Sequence, residues 1–315
     1  MAQFRKVWEK FGTLGILILL LAVFGAIQPQ FFFNIDNFRQ IGLQSTVYLL
    51  LAFGEFFAIL IAGIDLSVGA VAGLSGMLTA MMMKSGIPVP IAILLGLLIA
   101  IGLGAINGTL INAFGLHPFV ITIGTVSIFR GITLVISNGS PVFNLPRSFT
   151  SIATYFVGIP IPVLIAAIVC MFLLLITRKT VVGRNLYALG GNKQSAWYSG
   201  INIKLYTMIA HMLAGFMAGI AGLVMTARIG AAEPLAGNGY ETFAIAACII
   251  GGTSFFGGKG KITGVVIGGL IIGTISNGLN ILNVPSFWQQ VVMGSLIIVS
   301  VALDKLVGSG ATTKK

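Results

Sequence analysis

Residues 262–303 contain no Asp, Glu, Lys or Arg. An α-helix rises about 1.5 Å per residue and the hydrocarbon core of a bilayer is about 30 Å thick, so about 20 apolar residues complete one crossing. The run is about twice that length, and it reads as a hairpin of two membrane spans. Its break falls at 280–286, where Asn283 and Pro285 stand. Residues 85–129 are also too long for one crossing once Lys84 is passed, and their break falls at 112–118, at Gly115 and His117. Composition removes the soluble alternative. Only 8% of the 315 residues are charged, against about 25% in soluble domains, and mean hydropathy is +1.04. So few charges cannot clothe a soluble globule. Disorder, collagen and a disulfide scaffold fail on the same composition.

Continuing along the chain gives an all-α, polytopic membrane protein of about ten spans in a single domain. Their expected limits are 11–27, 41–62, 66–83, 89–110, 117–137, 160–177, 206–227, 240–252, 262–280 and 287–303. The eighth is short for a crossing and reads as broken, or as extending into the glycine-rich segment after it. The N-terminal basic residues and apolar run look like a signal peptide, but no A-x-A site follows Ala22, so the expectation is an uncleaved first span.

The 18 Lys and Arg against 7 Asp and Glu would suggest nucleic acid in a soluble protein. In a membrane protein they report sidedness. With the N-terminus inside, the inner segments hold Arg5, Lys6, Lys10, Arg178, Lys179, Arg184, Lys193, Lys204, Lys259, Lys261, Lys305, Lys314 and Lys315. The outer ones hold only Arg39, Lys84, Arg147 and Arg228, and Arg130 falls within a span. This bias places both termini in the cytoplasm. Cys170 and Cys248 lie in expected spans with no disulfide or metal spacing, and read as packed thiols.

Spans two to five and seven to ten look weakly alike. Asn107-Gly108 precedes Pro118-Phe119 as Asn277-Gly278 precedes Pro285 and Phe287. The two groups start on opposite sides, so the repeats are expected to be inverted, as in many transporters. G-x-x-x-G pairs at Gly69/Gly73, Gly104/Gly108, Gly215/Gly219, Gly264/Gly268 and Gly269/Gly273 point to close helix packing.

Charges within spans are costly and are candidates for function. Asp65, in Gly63-Ile-Asp-Leu-Ser-Val-Gly69, reads either as a cap at the start of the third span or as part of a pathway, and Ser67 is a second cap candidate. Glu55 lies mid-span and either pairs with Arg130, faces a wet cavity or stays protonated. Asn107 and Asn277 are candidate pathway residues or interhelical hydrogen-bonding groups. Gly73-Leu-Ser-Gly76 matches the G-x-S-G of intramembrane proteases, but its Ser75 is expected mid-membrane, away from His117 and His211 near span ends, so no dyad forms. The glycine-rich stretch 251–260 fails the phosphate-loop pattern, because Gly260 follows Lys259. No metal site or cofactor is expected, and nucleotide chemistry belongs to another chain.

The longest polar stretch, 178–206, divides six spans from four. Gly190 and Gly191 read as a turn in it, and Gln194 to Tyr198 as a short helix ending at Gly200. It reads either as a solvated basic loop or as a docking surface for a cytoplasmic partner.

Taken in order, these motifs resemble the permease subunits of ribose-type monosaccharide ABC importers. The resemblance runs along nearly the whole chain. It is carried by Gly63-Ile-Asp-Leu-Ser-Val-Gly69, Arg130-Gly131 with Ser137-Asn-Gly-Ser-Pro141, Gly183-Arg184 with Tyr187-Ala-Leu-Gly-Gly-Asn192, and Ser199-Gly-Ile201. Ala236-Gly-Asn-Gly-Tyr-Glu241, Ile250-Gly-Gly-Thr253 with Gly257-Gly-Lys-Gly260, and Ser276-Asn-Gly-Leu-Asn280 complete it. The resemblance implies a ten-span permease in the bacterial inner membrane, working as a pair. It would receive a sugar from a periplasmic binding protein and be driven by a cytoplasmic ATPase. Gly183, Arg184, Tyr187, Ala188, Gly190, Gly191 and Asn192 then match the segment that couples to the ATPase. Two departures stand out: Glu55 replaces a neutral residue, and Glu241-Thr-Phe243 lacks the family's usual Asp. Residues 239–248 are similar to allose-type members. The alternative class is an ion-gradient-driven secondary transporter, with Glu55 and Asp65 carrying protons.

Overall fold

The computed structural model describes residues 2–309, with the side chains of 2–11, 286, 300 and 303–309 outside the description. Arg5, Lys6, Lys10, Lys305, Lys314 and Lys315, part of the charge asymmetry, therefore lie outside the described side chains. The helices are α1 (Ala2–Ile27), α2 (Pro29–Phe32), α3 (Ile35–Leu60), α4 (Val68–Lys84), α5 (Val89–Phe114), α6 (Pro118–Ser137) and α7 (Arg147–Thr150). A 3-10 turn (Ser151–Ala153) and a two-stranded hairpin, β1 (Tyr155–Phe156) and β2 (Ile159–Pro160), follow. Then come α8 (Ile161–Lys179), α9 (Val181–Gly191), α10 (Lys193–Tyr198), α11 (Ile203–Ile229), α12 (Tyr240–Ile250), α13 (Ile262–Ile281) and α14 (Ser286–Ser309).

Among the described residues six helices are long and apolar enough to cross a membrane: α3, α5, α6, α8, α11 and α13. Shorter apolar helices at Gly12–Ile27, Val68–Lys84, Tyr240–Ile250 and Phe287–Val299 occupy the other four expected spans. The breaks in the two long uncharged runs fall where the sequence places them. Gly115, at φ +63, ends α5, and His117 with Pro118 opens α6. Asn283, at φ +55, and Pro285 separate α13 from α14. The small segment 142–160, with its short helices and hairpin, has no counterpart in the sequence reading. Pro146, Gly158 and Pro160, with the Ser and Thr between them, interrupt it before a helical period can build.

The connections alternate between two ends of the bundle. At the end called lower, Leu60 accepts a hydrogen bond from Gly258 N–H at 2.9 Å. Asn112 donates to the Lys204 carbonyl at 2.8 Å, and Tyr187 donates to the Gly260 carbonyl at 2.8 Å. At the upper end Val142 and Ala232 exchange two backbone bonds of 3.0 Å, and Arg39 donates to the Gly158 carbonyl at 3.0 Å.

Packing is symmetric between the two groups of four helices. α11 packs on α5 and α4 as α3 packs on α13 and α12, while α4 touches α5 and α6 as α12 touches α13 and α14. α3 ends at the lower end and α11 begins there, so the exchange reverses direction, as an inverted repeat requires. Asn107 and Asn277 lie on exchanged helices, α5 and α13. The glycine pairs are spent inside this one chain. A Cβ on Gly108 would meet Met208 of α11 at 2.8 Å, and one on Gly215 of α11 would meet Gly104 of α5 at 3.1 Å. The core follows from this arrangement: α3 is 94% buried over its apolar window, whereas α5, α6 and α8 are 22–28% buried and show Leu, Ile and Phe outward.

Candidate functional site

α4 and α12 are both short because each is preceded by a segment that re-enters the bundle: 61–67 before α4 and 230–239 before α12. The helix starts meet. The Gly69 and Gly237 backbones approach so closely that a Cβ on Gly237 would strike the Gly69 carbonyl. α12 runs about 16 Å from its start to the lower end, which puts that start about halfway across a 30 Å core. Helix starts at mid-depth, between inverted repeats, are where transporters bind their cargo.

The first re-entrant segment is held by a sealed polar network. Asp65 N–H donates to Glu55 Oε1 at 3.1 Å. Asp65 Oδ1 accepts the Ser67 N–H at 2.9 Å and the Ser67 hydroxyl at 2.5 Å. Asn107 Nδ2 donates to Ser67 Oγ at 2.7 Å, and Leu66 N–H donates to Thr122 Oγ1 at 3.2 Å. Glu55, Ser67, Asn107 and Thr122 are fully buried and Asp65 nearly so. Asp65 thus closes the turn that leads into α4, through Ser67, without bonding an N–H of the helix's first turn. The expectation that Ser67 caps with its own side chain does not hold, because its hydroxyl is turned to Asp65 and makes no cap bond. Glu55 does not pair with Arg130; its Oε1 serves the Asp65 backbone instead. Asn277 is buried in α13, its Oδ1 without a partner. The structure therefore engages Glu55, Asp65 and Asn107 in joining helices, and none of the four lines the open cavity described below.

The second segment is open. Arg130, from α6, donates through Nη1 to the Ala236 carbonyl at 2.6 Å, and its Nε has no partner. Glu241 is the acid near enough to act on it through space, yet no ion pair closes between them among the described residues. Both side chains lie over glycines of α4. A Cβ at Gly69 would stand 2.7 Å from Glu241 Oε2, and one at Gly73 would stand 3.2 Å from Arg130 Nη1. Asn238 and Thr242 beside them are exposed. Sequence reasoning noted both charges but could not place them together, since Arg130 and Glu241 belong to different repeats. Phe243, the second departure from the family pattern, turns inward and stacks on Tyr48 with ring centroids 4.9 Å apart.

At the lower end 178–206 forms two helices, each with a side-chain cap. Thr180 accepts from Gly183 N–H at 3.2 Å and Asn192 from Ser195 N–H at 2.8 Å, while Asn202 caps α11 through Leu205 N–H at 3.1 Å. Gly190 and Gly191 do not form a turn; they end α9, whose last carbonyls are closed by the Asn192 N–H to Ala188. α10 ends as expected, with Gly200 at φ +78. The seven motif residues sort by direction. Gly183 packs on Thr177, a Cβ on Gly190 would meet Gly258 N at 2.7 Å, and Tyr187 bonds Gly260. Burial pushes the Tyr187 phenol above its ordinary range, with Arg178 pulling it back. Arg184, Ala188, Gly191 and Asn192 face outward with Lys193 and Gln194. Trp197 and Tyr198 are 62% and 72% exposed. An open cavity of about 1190 Å³ runs beside them, bounded by Ile61, His117, Gly191, Trp197 and Lys204.

Ser75, of the protease-like Gly73-Leu-Ser-Gly76, donates to its own helix at Ala72, and His211 bonds Thr207; the two do not meet. No group of His, Cys, Asp and Glu among the described residues could hold a metal.

Inverted repeats, two broken helices meeting at mid-depth and an exposed helix pair at one end define a multi-pass membrane transport subunit. The chain belongs to the family described as the permease component of the branched-chain amino acid transport system, whose model matches residues 37–301. It is 56% identical to the D-allose transport system permease protein AlsC of Escherichia coli (strain K12), over 97% of this chain and 94% of the relative. It is 42% identical to the ribose import permease protein RbsC of Bacillus subtilis, over 96% and 95%. It is 34% identical to the galactose/methyl galactoside import permease protein MglC of Haemophilus influenzae, over 92% of each. No solved structure matches the chain. These relatives are permeases, so the chain is a transport subunit rather than an enzyme.

Proposed function

We propose that this chain is the membrane-spanning subunit of an ATP-driven importer, and that it carries a monosaccharide, D-allose first among them, into the cytoplasm. ATP hydrolysis resides on a separate ATPase that docks at the lower end, which the excess of Lys and Arg marks as cytoplasmic. A binding protein outside the cytoplasmic membrane delivers the sugar, and two copies of the permease work together.

The observation that carries this reading is the outward face of α9 and α10. Arg184, Ala188, Asn192, Trp197 and Tyr198 are exposed, while Gly183, Tyr187 and Gly190 fix the same segment to the bundle. A lone solvated loop has no use for two adjacent exposed aromatics; a docking surface does. Through Gly190 and Gly258 the segment touches the end of α3 and the loop after α12, so movement of a docked partner reaches the breaks before α4 and after α12. Alternating access then follows as a change in how the two repeats sit around the mid-depth helix starts.

The test is reconstitution with the ATPase and sugar-binding protein encoded beside this chain. D-allose uptake is expected to require ATP and to survive collapse of ion gradients. Ala188→Arg combined with Trp197→Glu is expected to leave the permease inserted while the ATPase no longer co-purifies. Uptake that persists without ATP and stops when the gradient is collapsed makes the chain a secondary transporter instead.

A further inference from the structure

Resting on the transport reading above, we propose that the polar face made by Arg130, Asn238, Glu241 and Thr242 is where the sugar is contacted as it crosses, with the Arg130 guanidinium and the Glu241 carboxylate taking its hydroxyls.

Depth is the first support. Arg130 lies twelve residues beyond Pro118, at the lower end of α6, and so about 18 Å up from that end. Glu241 lies nine residues before Ile250, where α12 reaches the lower end, and so about 14 Å up. Two independent helices thus put the pair near the middle of a core about 30 Å thick.

The second support is what surrounds them. Helix faces that lipid covers are apolar at similar depth, as with Leu98 of α5 at 53% exposed and Ile168 of α8 at 64%. The Arg130 face instead shows Asn238, Thr242 and, one turn lower on α6, Ser127. Partly exposed charges in hydrocarbon are expensive, so this face meets water, cargo or other protein rather than lipid tails.

The third is unspent hydrogen-bonding capacity. Arg130 uses Nη1 on Ala236; its unpaired Nε is a buried atom, and its Nη2 closes no bond among the described residues. The Glu241 carboxylate closes no ion pair to Arg130 among the described residues, although one of its oxygens lies over Gly69 of α4. A guanidinium offers donors in a fixed fork and a carboxylate offers several acceptor sites, while each sugar hydroxyl is both donor and acceptor. A neutral polyol therefore fits between a donor set and an acceptor set that do not satisfy each other. Gly69 and Gly73 supply the room: Cβ atoms there would crowd Glu241 and Arg130 at 2.7 and 3.2 Å. Glu55 and Asp65 lack this freedom, since they are sealed from solvent.

The experiment uses the full complex with its ATPase and binding protein in proteoliposomes. Glu241→Gln is expected to lower sugar uptake about tenfold or more while ATPase co-purification and binding-protein-stimulated ATP hydrolysis remain. Its residual rates for two aldoses differing at one hydroxyl are expected to shift relative to wild type. In parallel, Ser127→Cys, in a background lacking Cys170 and Cys248, is expected to react with a charged, membrane-impermeant thiol reagent and to be protected by sugar during turnover. Wild-type uptake by Glu241→Gln overturns the proposal. If that variant fails to assemble, an unreactive Ser127→Cys overturns it and a sugar-protected one supports it. Loss of ATP dependence in the unmodified complex would falsify the transport reading itself, a separate result.

Discussion

The two re-entrant segments do the same topological work with opposite finish. Residues 61–67 enter the bundle and are closed over by Glu55, Asp65, Ser67, Asn107 and Thr122, all at most 1% exposed. Residues 230–239 enter from the other side and stay open, with Asn238 and Thr242 exposed and Arg130 and Glu241 partly so. A transporter needs one part of its cargo region rigid and one part wet. A buried hydrogen-bonded network supplies rigidity, because opening it strands polar groups in a dry interior, even though Glu55 Oε2 and Asn107 Oδ1 within it have no partner. An unfinished set of donors and acceptors supplies the contact surface. The repeat therefore gives the protein a pair of broken helices, and burial decides which of them anchors.

The largest effect is expected where the sealed side is broken. Asp65→Ala removes the acceptor of both the Ser67 N–H and its hydroxyl, and each buried polar group left unsatisfied costs about 1–3 kcal/mol. Thermal unfolding in detergent should show a marked drop, and loss of uptake should follow loss of fold. Next comes Glu55. Glu55→Leu strands the buried Asp65 N–H, at about 1–3 kcal/mol, whereas Glu55→Gln keeps an oxygen acceptor in place and should retain most of the stability. Equal destabilisation by the two would show that the charge of Glu55 matters more than its acceptor. Smallest is Asn238→Ala on the open side, which should move stability by no more than about 0.5 kcal/mol, as exposed substitutions do. Its effect should instead be read in uptake. A large stability loss there would erase the contrast between the segments.

Much of the fold was legible because membrane solvation makes it so. Hydrocarbon demands runs of apolar residues of fixed length, and the uncharged stretches 85–129 and 262–303 could only be hairpins. Gly115, Pro118, Asn283 and Pro285 marked their breaks because glycine, asparagine and proline act locally. The caps at Thr180, Asn192 and Asn202 are local as well. Reading Gly190 as a turn residue failed for the opposite reason. Gly190 is small because Leu60 and Gly258 press against it, and those neighbours come from distant segments. The same limit applied to Gly69 and Gly73, whose spacing reported close packing without saying that Glu241 and Arg130 lie over them.

Sequence by itself determined the approximate number and places of the apolar helices, though not their limits (α3 begins at Ile35 rather than at 41), together with the charge asymmetry, the likeness of the two halves and the candidate charges within spans. Each depends on composition or short-range spacing. Only the tertiary structure decided that Glu55 serves a backbone N–H rather than Arg130, that the Ser67 hydroxyl turns to Asp65 instead of capping α4, and that Arg130 and Glu241 lie over neighbouring glycines of α4. The last depends on which helices of opposite repeats face each other at mid-depth, and the first two on how the segment before α4 folds back beside α3. Nothing in the local pattern of either helix encodes its partner.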